Sequence, residues 1–138
     1  MSGYLLDTGV LNGLLYARPW VVEVVTPWLP TSDAFTSVLC YGEVVEYLQG
    51  KAPTEYTLRE SQLRELLRDI HPLPLTYAVL RRYATLRRAM RPPRGTGLIG
   101  DMDTLIAATA LERNLTVVTI DGDFNRVPGL TVMPLRRR

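Results

Sequence analysis

Cysteine, histidine and lysine are nearly missing from this sequence of 138 residues. Cys40 is the only cysteine, which excludes an internal disulfide and a zinc site made of several cysteines. His71 is the only histidine and precedes a proline, so we assign it a structural role and predict no histidine-based catalytic triad. Lys51 is the only lysine, so arginine supplies almost all of the positive charge.

Long apolar runs and a leader are also lacking. No apolar run approaches the ~20 residues that a membrane-spanning helix needs. The first residues contain no basic region and reach Asp7 at once, which argues against a signal peptide. We therefore expect a cytoplasmic protein with no membrane contact. With 46% hydrophobic and 22% charged residues, residues 1–138 are expected to form a single globular domain.

The excess of arginine has two explanations, which the sequence leaves open. One is a genome rich in G and C, and the other is recognition of phosphate groups, to which the guanidinium fork is suited. The arginines concentrate in a basic stretch and a basic tail, each of which is either solvated surface or a phosphate contact. The stretch comprises Arg81, Arg82, Arg87, Arg88, Arg91 and Arg94, and the tail comprises Arg136, Arg137 and Arg138.

Short apolar segments alternate with helical patterns along the chain, which predicts an α/β fold. We predict a three-layer sandwich with a central, mainly parallel sheet, because buried strands separated by helices pair in parallel. Ligands of such sheets bind at the carboxyl ends of the strands. Strands are predicted at 3–6, 34–38, 72–75, 115–119 and 130–133. Helices are predicted at 8–15 with Thr8 as the cap, then at 40–48, 58–70, 77–90 and from 101 or 103 to 111.

Four acidic residues stand where they can meet at that edge of the sheet. Asp7 and Asp121 directly follow predicted strands, and Glu43 and Asp103 lie near the starts of predicted helices. Taken singly, Asp7 and Asp103 also suit helix N-termini, Asp121 suits a turn and Glu43 suits a solvated helix face.

Taken together, the four acids point to a bound cation. Two like charges ~4 Å apart repel by ~4 kcal/mol at an effective dielectric near 20. A carboxylate cluster therefore persists only if some members are protonated or a cation binds. Oxygen ligands without histidine or cysteine favour Mg²⁺ or Mn²⁺, and these ions serve phosphoryl transfer.

Four segments of the chain resemble the sequence motifs of PIN-domain ribonucleases. The third and fourth are the specific ones, because the third carries an Asp three positions before Ile-Ala-Ala. At this length the combination is similar to VapC, the toxin of bacterial and archaeal toxin–antitoxin pairs, and it covers essentially the whole chain. The four segments are Leu5–Thr8, Thr36–Glu43, Ile99–Leu111 and Leu115–Leu130.

The resemblance implies a metal-dependent endoribonuclease. Carried over residue by residue, Asp7, Glu43, Asp103 and Asp121 are the catalytic and metal-binding residues, and the ion is Mg²⁺ or Mn²⁺. Asp123 matches a further acid of some members, which holds a second ion or a bridging water.

The resemblance also implies partners. They are an RNA substrate such as tRNA or ribosomal RNA, a cognate VapB-like antitoxin and a second copy of the chain in a homodimer. The antitoxin is expected to bind in grooves between the helical segments near Trp20–Leu29 and Leu58–Ile70.

Two positions near the expected site need separate interpretation. Asp101 and Asp103 are both candidates for the metal ligand at the start of this helix. We assign Asp101 to the helix N-cap because the family acid aligns with Asp103. The chain departs from the family at Gly9, where serine or asparagine is more common. Thr8 and Thr119 remain as candidates for hydrogen bonds to the metal ligands.

Two other classes of protein are possible. A non-catalytic PIN-like module for RNA binding or assembly is disfavoured because all four acids are present. A response-regulator receiver domain normally needs a lysine near the end of its fifth strand, and Lys51 lies in the wrong region.

Overall fold

Five short strands and six α-helices alternate in the computed structural model, which describes residues 3–137. Three short 3₁₀ helices cover Thr26–Trp28, Pro53–Glu55 and Gly122–Arg126. The strands are β1 (Tyr4–Leu6), β2 (Ala34–Ser37), β3 (His71–Leu73), β4 (Thr116–Thr119) and β5 (Val132–Pro134). The α-helices are α1 (Thr8–Leu15), α2 (Pro19–Val25), α3 (Val38–Lys51), α4 (Tyr56–Leu66), α5 (Tyr77–Met90) and α6 (Asp101–Arg113).

The strands form one parallel sheet in the order β3-β2-β1-β4-β5, which confirms the predicted fold class. Leu5 of the central strand stands opposite Phe35 on one side and Val117 on the other. Leu5 and Val117 have no exposed surface, as expected of strands that are covered on both faces.

Helices cover the sheet in two groups. α1 packs against α2, α3 and α4, while α5 packs against α6. The chain moves outward from β1 to β3 and then returns across β1 to β4. Crossovers between parallel strands are right-handed as a rule, and this rule puts the first group of helices on one face of the sheet and the second group on the other. The strand order therefore reverses between β1 and β4, and a crevice at such a switch point is the usual ligand site of a parallel sheet.

Several element boundaries differ from the sequence prediction. Thr8 is not the cap of α1, because Asp7 holds that position and its Oδ1 accepts a hydrogen bond of 2.6 Å from the Thr8 amide. α4 ends at Leu66 rather than at residue 70, since the chain turns there to enter β3. The arginine-rich helix at 77–90 is confirmed.

The single histidine and the single cysteine differ in exposure, since His71 is exposed and Cys40 is buried. His71 lies on the edge strand β3 with its ring 5.8 Å from that of Phe35. Cys40 is buried, and burial raises the pKa of its thiol to about 11. Among residues 3–137 no helix has the length and apolar character needed to cross a bilayer. Arg138 of the predicted basic tail lies outside the described residues.

Candidate metal centre

Asp7 lies at the end of the central strand and is the most deeply buried acid of the site, with 6% of its surface exposed. Its two carboxylate oxygens accept hydrogen bonds from the Thr8 amide at 2.6 Å and the Thr119 hydroxyl at 2.7 Å. Burial raises the pKa of Asp7, and the charges of Glu43 and Asp121 raise it further, whereas the two hydrogen bonds oppose that shift. The carboxylate is therefore held in one orientation in surroundings that disfavour its charge.

Glu43 approaches the same edge from α3. The helix begins where the Ser37 hydroxyl accepts a hydrogen bond of 3.1 Å from the Leu39 amide, so Glu43 lies in its second turn. The Thr8 hydroxyl donates to Oε1 of Glu43 at 2.5 Å. Thr8 thus contacts Asp7 through its amide and Glu43 through its hydroxyl, which links the two carboxylates.

The remaining acids come from α6 and from the turn after β4. One carboxylate oxygen from each of Asp103, Asp121 and Asp123 lies within 4.8 Å of the other two. The Asp121 amide donates to the Thr119 hydroxyl at 2.9 Å, and the Asp123 amide donates to Oδ1 of Asp121 at 2.9 Å. The Thr119 hydroxyl, which itself donates to Asp7, therefore joins the turn to the central strand.

The structure brings all five predicted acids to one electrostatic cluster. The pKa of Asp103 is raised to about 6, first by burial and then by the charges of Asp7, Asp121, Glu43 and Asp123. Carboxylates that raise each other's pKa in this way form a site that a divalent cation would stabilise. All the ligands offered are oxygens, so the site fits Mg²⁺ or Mn²⁺.

The raised pKa values make the metal-free protein less stable as the pH increases. In the unfolded chain Asp7 and Asp103 lose their protons near the ordinary aspartate pKa of 3.8, whereas the folded state retains these protons to higher pH. The free energy of unfolding should therefore fall from about pH 4 to about pH 7. Denaturant titrations in EDTA should show this fall, and Asp103→Asn should flatten it. Parallel curves for the two proteins would contradict the prediction.

Asp101 does not cap α6, so that prediction was wrong. Gly100 occupies the N-cap position, and no side chain caps the helix there. Oδ1 of Asp101 instead accepts hydrogen bonds from the Arg87 guanidinium at 2.5 Å and from the Tyr83 hydroxyl at 3.0 Å, both on α5. Asp101 therefore joins α5 to α6, while Asp103 two residues later faces the acid cluster.

Gly9 has a steric explanation that the sequence did not reveal. A Cβ atom at this position would lie 3.2 Å from Cδ1 of Ile120, which is tighter than ordinary van der Waals contact. A side chain at position 9 would therefore require Ile120 to move by a few tenths of an ångström. No polar group from position 9 joins the site, and Thr8 and Thr119 make the hydrogen bonds to Asp7 and Glu43.

Arg126 was not predicted from the sequence, and it lies beside Asp123 of the acid cluster. Its guanidinium is 3.7 Å from Oδ1 of Asp123 and donates a hydrogen bond of 2.9 Å to the carbonyl oxygen of Leu98. The three-residue spacing between Asp123 and Arg126 is the sequence signal from which the ion pair could have been predicted. Arg126 holds the segment before α6 against the turn after β4.

A cleft of about 520 Å³ opens beside the site between α1, α2 and α3. Gly9, which follows Thr8 in α1, is one of the lining residues, and none of the five acids lines the cleft. Its walls combine aromatic and basic side chains, which suits a peptide or nucleic-acid segment better than a small apolar ligand. The lining residues are Gly9, Asn12, Gly13, Arg18, Pro19, Trp20, Tyr47 and Arg137.

Comparison with known proteins agrees with this geometry. The family model described as the PIN domain matches residues 4–130. VapBC2 from Rickettsia felis, solved with a DNA fragment of its promoter, has a TM-score of 0.82 at 20% identity, covering 96% of this chain and 98% of that one.

Two further structures match over nearly the whole chain. DNA-bound VapBC from Salmonella typhimurium has a TM-score of 0.81 at 20% identity, covering 97% of this chain and 98% of that chain. FitAcB from Neisseria gonorrhoeae has a TM-score of 0.77 at 27% identity, covering 94% and 96%. No curated protein matches the sequence. At such low identity the two VapBC structures establish a shared fold.

Proposed function

The chain belongs to the PIN domain family, and we propose that it is a metal-dependent endoribonuclease acting as the toxin of a VapBC-type toxin–antitoxin pair. The observation that carries the proposal is the meeting of five carboxylates where the strand order reverses, with the pKa of Asp103 raised to about 6. A bound cation would offset the repulsion between these carboxylates in the folded state.

Four acids would hold Mg²⁺ or Mn²⁺ in this proposal: Asp7, Glu43, Asp103 and Asp121. Asp123 lies close enough to Asp103 and Asp121 to hold a second ion or a bridging water. When bound, the metal supplies charge that polarises the scissile phosphate and lowers the pKa of water.

The threonine hydroxyls orient the acids. Thr8 donates to Glu43 and Thr119 donates to Asp7, so each hydrogen bond fixes a carboxylate and stabilises its charged form. No covalent intermediate with the protein is needed. Hydrolysis at such a site leaves a 5′-phosphate and a 3′-hydroxyl.

The proposed partners follow from the relatives. Several of the solved structures that match are named VapBC, one of them as a member of the VapBC family of toxin–antitoxin systems, so we infer a VapB-like antitoxin encoded beside this chain. A homodimer and a cytoplasmic location are part of the same proposal. The site we propose for an antitoxin segment is the cleft between α1, α2 and α3. Trp20 lines this cleft but no residue of 58–70 does, so it is not the groove expected between the segments Trp20–Leu29 and Leu58–Ile70. The substrate in this proposal is structured RNA, such as tRNA or ribosomal RNA.

A non-catalytic PIN-like module for RNA binding or assembly is the alternative. Such a module would have no need of five acids at one edge or of two hydroxyls that donate to them. The hydrogen bonds from Thr8 and Thr119 therefore favour the enzyme.

The test is cleavage of total cellular RNA by the purified chain, with the ends of the products mapped. We expect cleavage with Mg²⁺ or Mn²⁺, none in EDTA, and 5′-phosphate ends. The same ions should raise the melting temperature, because a ligand that binds only the folded state stabilises it. Cleavage that persists in EDTA, or binding of RNA with no cleavage under any metal, would contradict the proposal.

A further inference from the structure

Three arginines near the end of α5 form a cationic surface, which we name the arginine patch: Arg88, Arg91 and Arg94. All three are exposed, and among residues 3–137 none has a carboxylate within ion-pair distance. Two other arginines of the basic stretch differ, because Arg82 pairs with Glu112 and Arg87 with Asp101. The structure thus separates Arg82 and Arg87, which hold α5 to α6, from arginines without an ion pair to the described residues. Arg81 is also exposed and unpaired within that part of the chain, but it lies two turns before Arg88 on α5 and lines neither of the clefts that the patch lines.

The arginine patch is built by a tight turn. The Gly95 amide donates to the carbonyl oxygen of Arg91 at 3.1 Å, and the Gly97 amide donates to that of Met90 at 2.9 Å. A Cβ atom on Gly95 would lie 2.5 Å from Cα of Met90, so only glycine lets the chain fold back this closely. As a result Arg94 returns beside Arg88, and both line two adjoining clefts of about 440 and 470 Å³.

The arginine patch lies at the same edge of the molecule as the acid cluster. Arg87, next to Arg88, contacts Asp101, which precedes Asp103 by two residues. The segment between the patch and α6 is held from the other side by Arg126, which reaches both the Leu98 carbonyl and Asp123. Unpaired positive charge therefore lies at the same edge of the molecule as the acid cluster.

We propose that the arginine patch binds backbone phosphates of the RNA strand beside the bond that is cleaved. This inference rests on the proposed ribonuclease function. A polyanion that approaches five carboxylates is repelled, and free guanidinium groups beside them offset that repulsion. Guanidinium groups without an acidic partner also keep their N–H donors for bidentate contacts with phosphate oxygens.

The test compares two triple variants that lose the same charge. Arg88→Gln, Arg91→Gln and Arg94→Gln together remove the arginine patch. Lys51→Gln, Arg68→Gln and Arg113→Gln are the control, because these residues are exposed and lie at the opposite edge, at the end of α3 or just before β3 and β4. The probe is a fluorescently labelled single-stranded RNA of twelve uridines, bound by the full chain in EDTA over a range of KCl concentrations.

We expect the patch variant to bind more weakly and with less dependence on salt. Each phosphate contact to a single strand contributes about 0.7 to the slope of log affinity against log salt, so losing three contacts lowers the slope by about 2. The control variant should keep the slope of the unmodified chain. Equal slopes for the two variants would overturn the inference, as would tighter binding of an acidic peptide of twelve glutamates than of the RNA.

Cleavage assays separate this inference from the proposed function. Suppose that the unmodified chain cleaves RNA and that the affinities of the two variants depend equally on salt. The proposed role of the arginine patch is then wrong, while the proposed ribonuclease function is supported. Suppose instead that RNA binding by the patch variant depends less on salt, but that none of the proteins cleaves RNA with any metal. The arginine patch is then supported as an RNA-binding surface, and the proposed ribonuclease function is wrong. For an active enzyme, the patch variant should need more RNA for half-maximal rate and keep its maximal rate within about twofold.

Discussion

Replacing Asp103 by asparagine is expected to reduce RNA cleavage by at least about 100-fold and leave the fold intact. Removing only a hydrogen-bond partner of a metal ligand typically costs 10–100-fold, so removing the charge of a ligand should cost more. Asparagine keeps the shape of the side chain, and it removes a carboxylate whose pKa burial and four acidic neighbours raise to about 6. The metal-free variant should therefore be as stable as the unmodified chain or more stable. Cleavage rates with Mg²⁺ and denaturant midpoints in EDTA provide the measurement.

Asp101→Asn is the matched control, since both acids lie in the first turn of α6. Its carboxylate pairs with Arg87 across to α5 and is 66% exposed. Loss of an exposed ion pair typically costs 0–1 kcal/mol, so the variant should be slightly less stable and cleave RNA at nearly the normal rate. An inactive Asp101→Asn beside an active Asp103→Asn would show that the wrong acid of the pair has been assigned to the metal.

Replacing Thr119 by valine is expected to weaken metal binding by 10–100-fold, although Thr119 is not a ligand. Its hydroxyl donates to Oδ2 of buried Asp7 and accepts from the Asp121 amide. Valine has nearly the same shape but leaves both groups without that partner. An unsatisfied buried polar group costs about 1–3 kcal/mol, so the free energy of unfolding should fall by a similar amount. Calorimetric titration with Mn²⁺ measures the first effect and denaturant unfolding the second.

Thr109→Val separates the site from general packing. Thr109 is also buried, but its hydroxyl donates at 2.8 Å to the carbonyl oxygen of Leu105 within α6. It makes no hydrogen bond to a residue of the acid cluster. This variant should keep its affinity for Mn²⁺. Equal losses of affinity in the two variants would mean that Thr119 acts only through stability.

Much of the fold was readable from the sequence because local pattern and tertiary packing agree. The helix over Tyr77–Met90 has one apolar face and matches the prediction at both ends. The central strands were also clear, since β1 and β4 are short apolar runs that are buried on both faces. The edge strands β3 and β5 shifted by one or two residues, because an edge strand pairs on one side only.

The errors arose where a distant residue decides the outcome. Asp101 has the sequence context of a helix cap. Only the packing of α5 on α6 shows that Arg87 and Tyr83 donate hydrogen bonds to its carboxylate. Thr8 also has the composition of a cap, but its hydroxyl is used by Glu43, thirty-five positions away in the chain. The convergence of the acids was predictable from where strands end, whereas the choice of partner for each hydroxyl was not.

The hydrogen bond between Thr119 and Asp7 joins residues 112 positions apart, and β1 obtains one of its two neighbours only when β4 arrives. A growing polypeptide on the ribosome therefore cannot assemble the acid cluster until almost all of it has been synthesised. The proposed ribonuclease activity would therefore not arise before translation is nearly finished. A single proteolytic break that released the part carrying β4 would likewise end the proposed activity, since neither piece contains both Asp7 and Asp121.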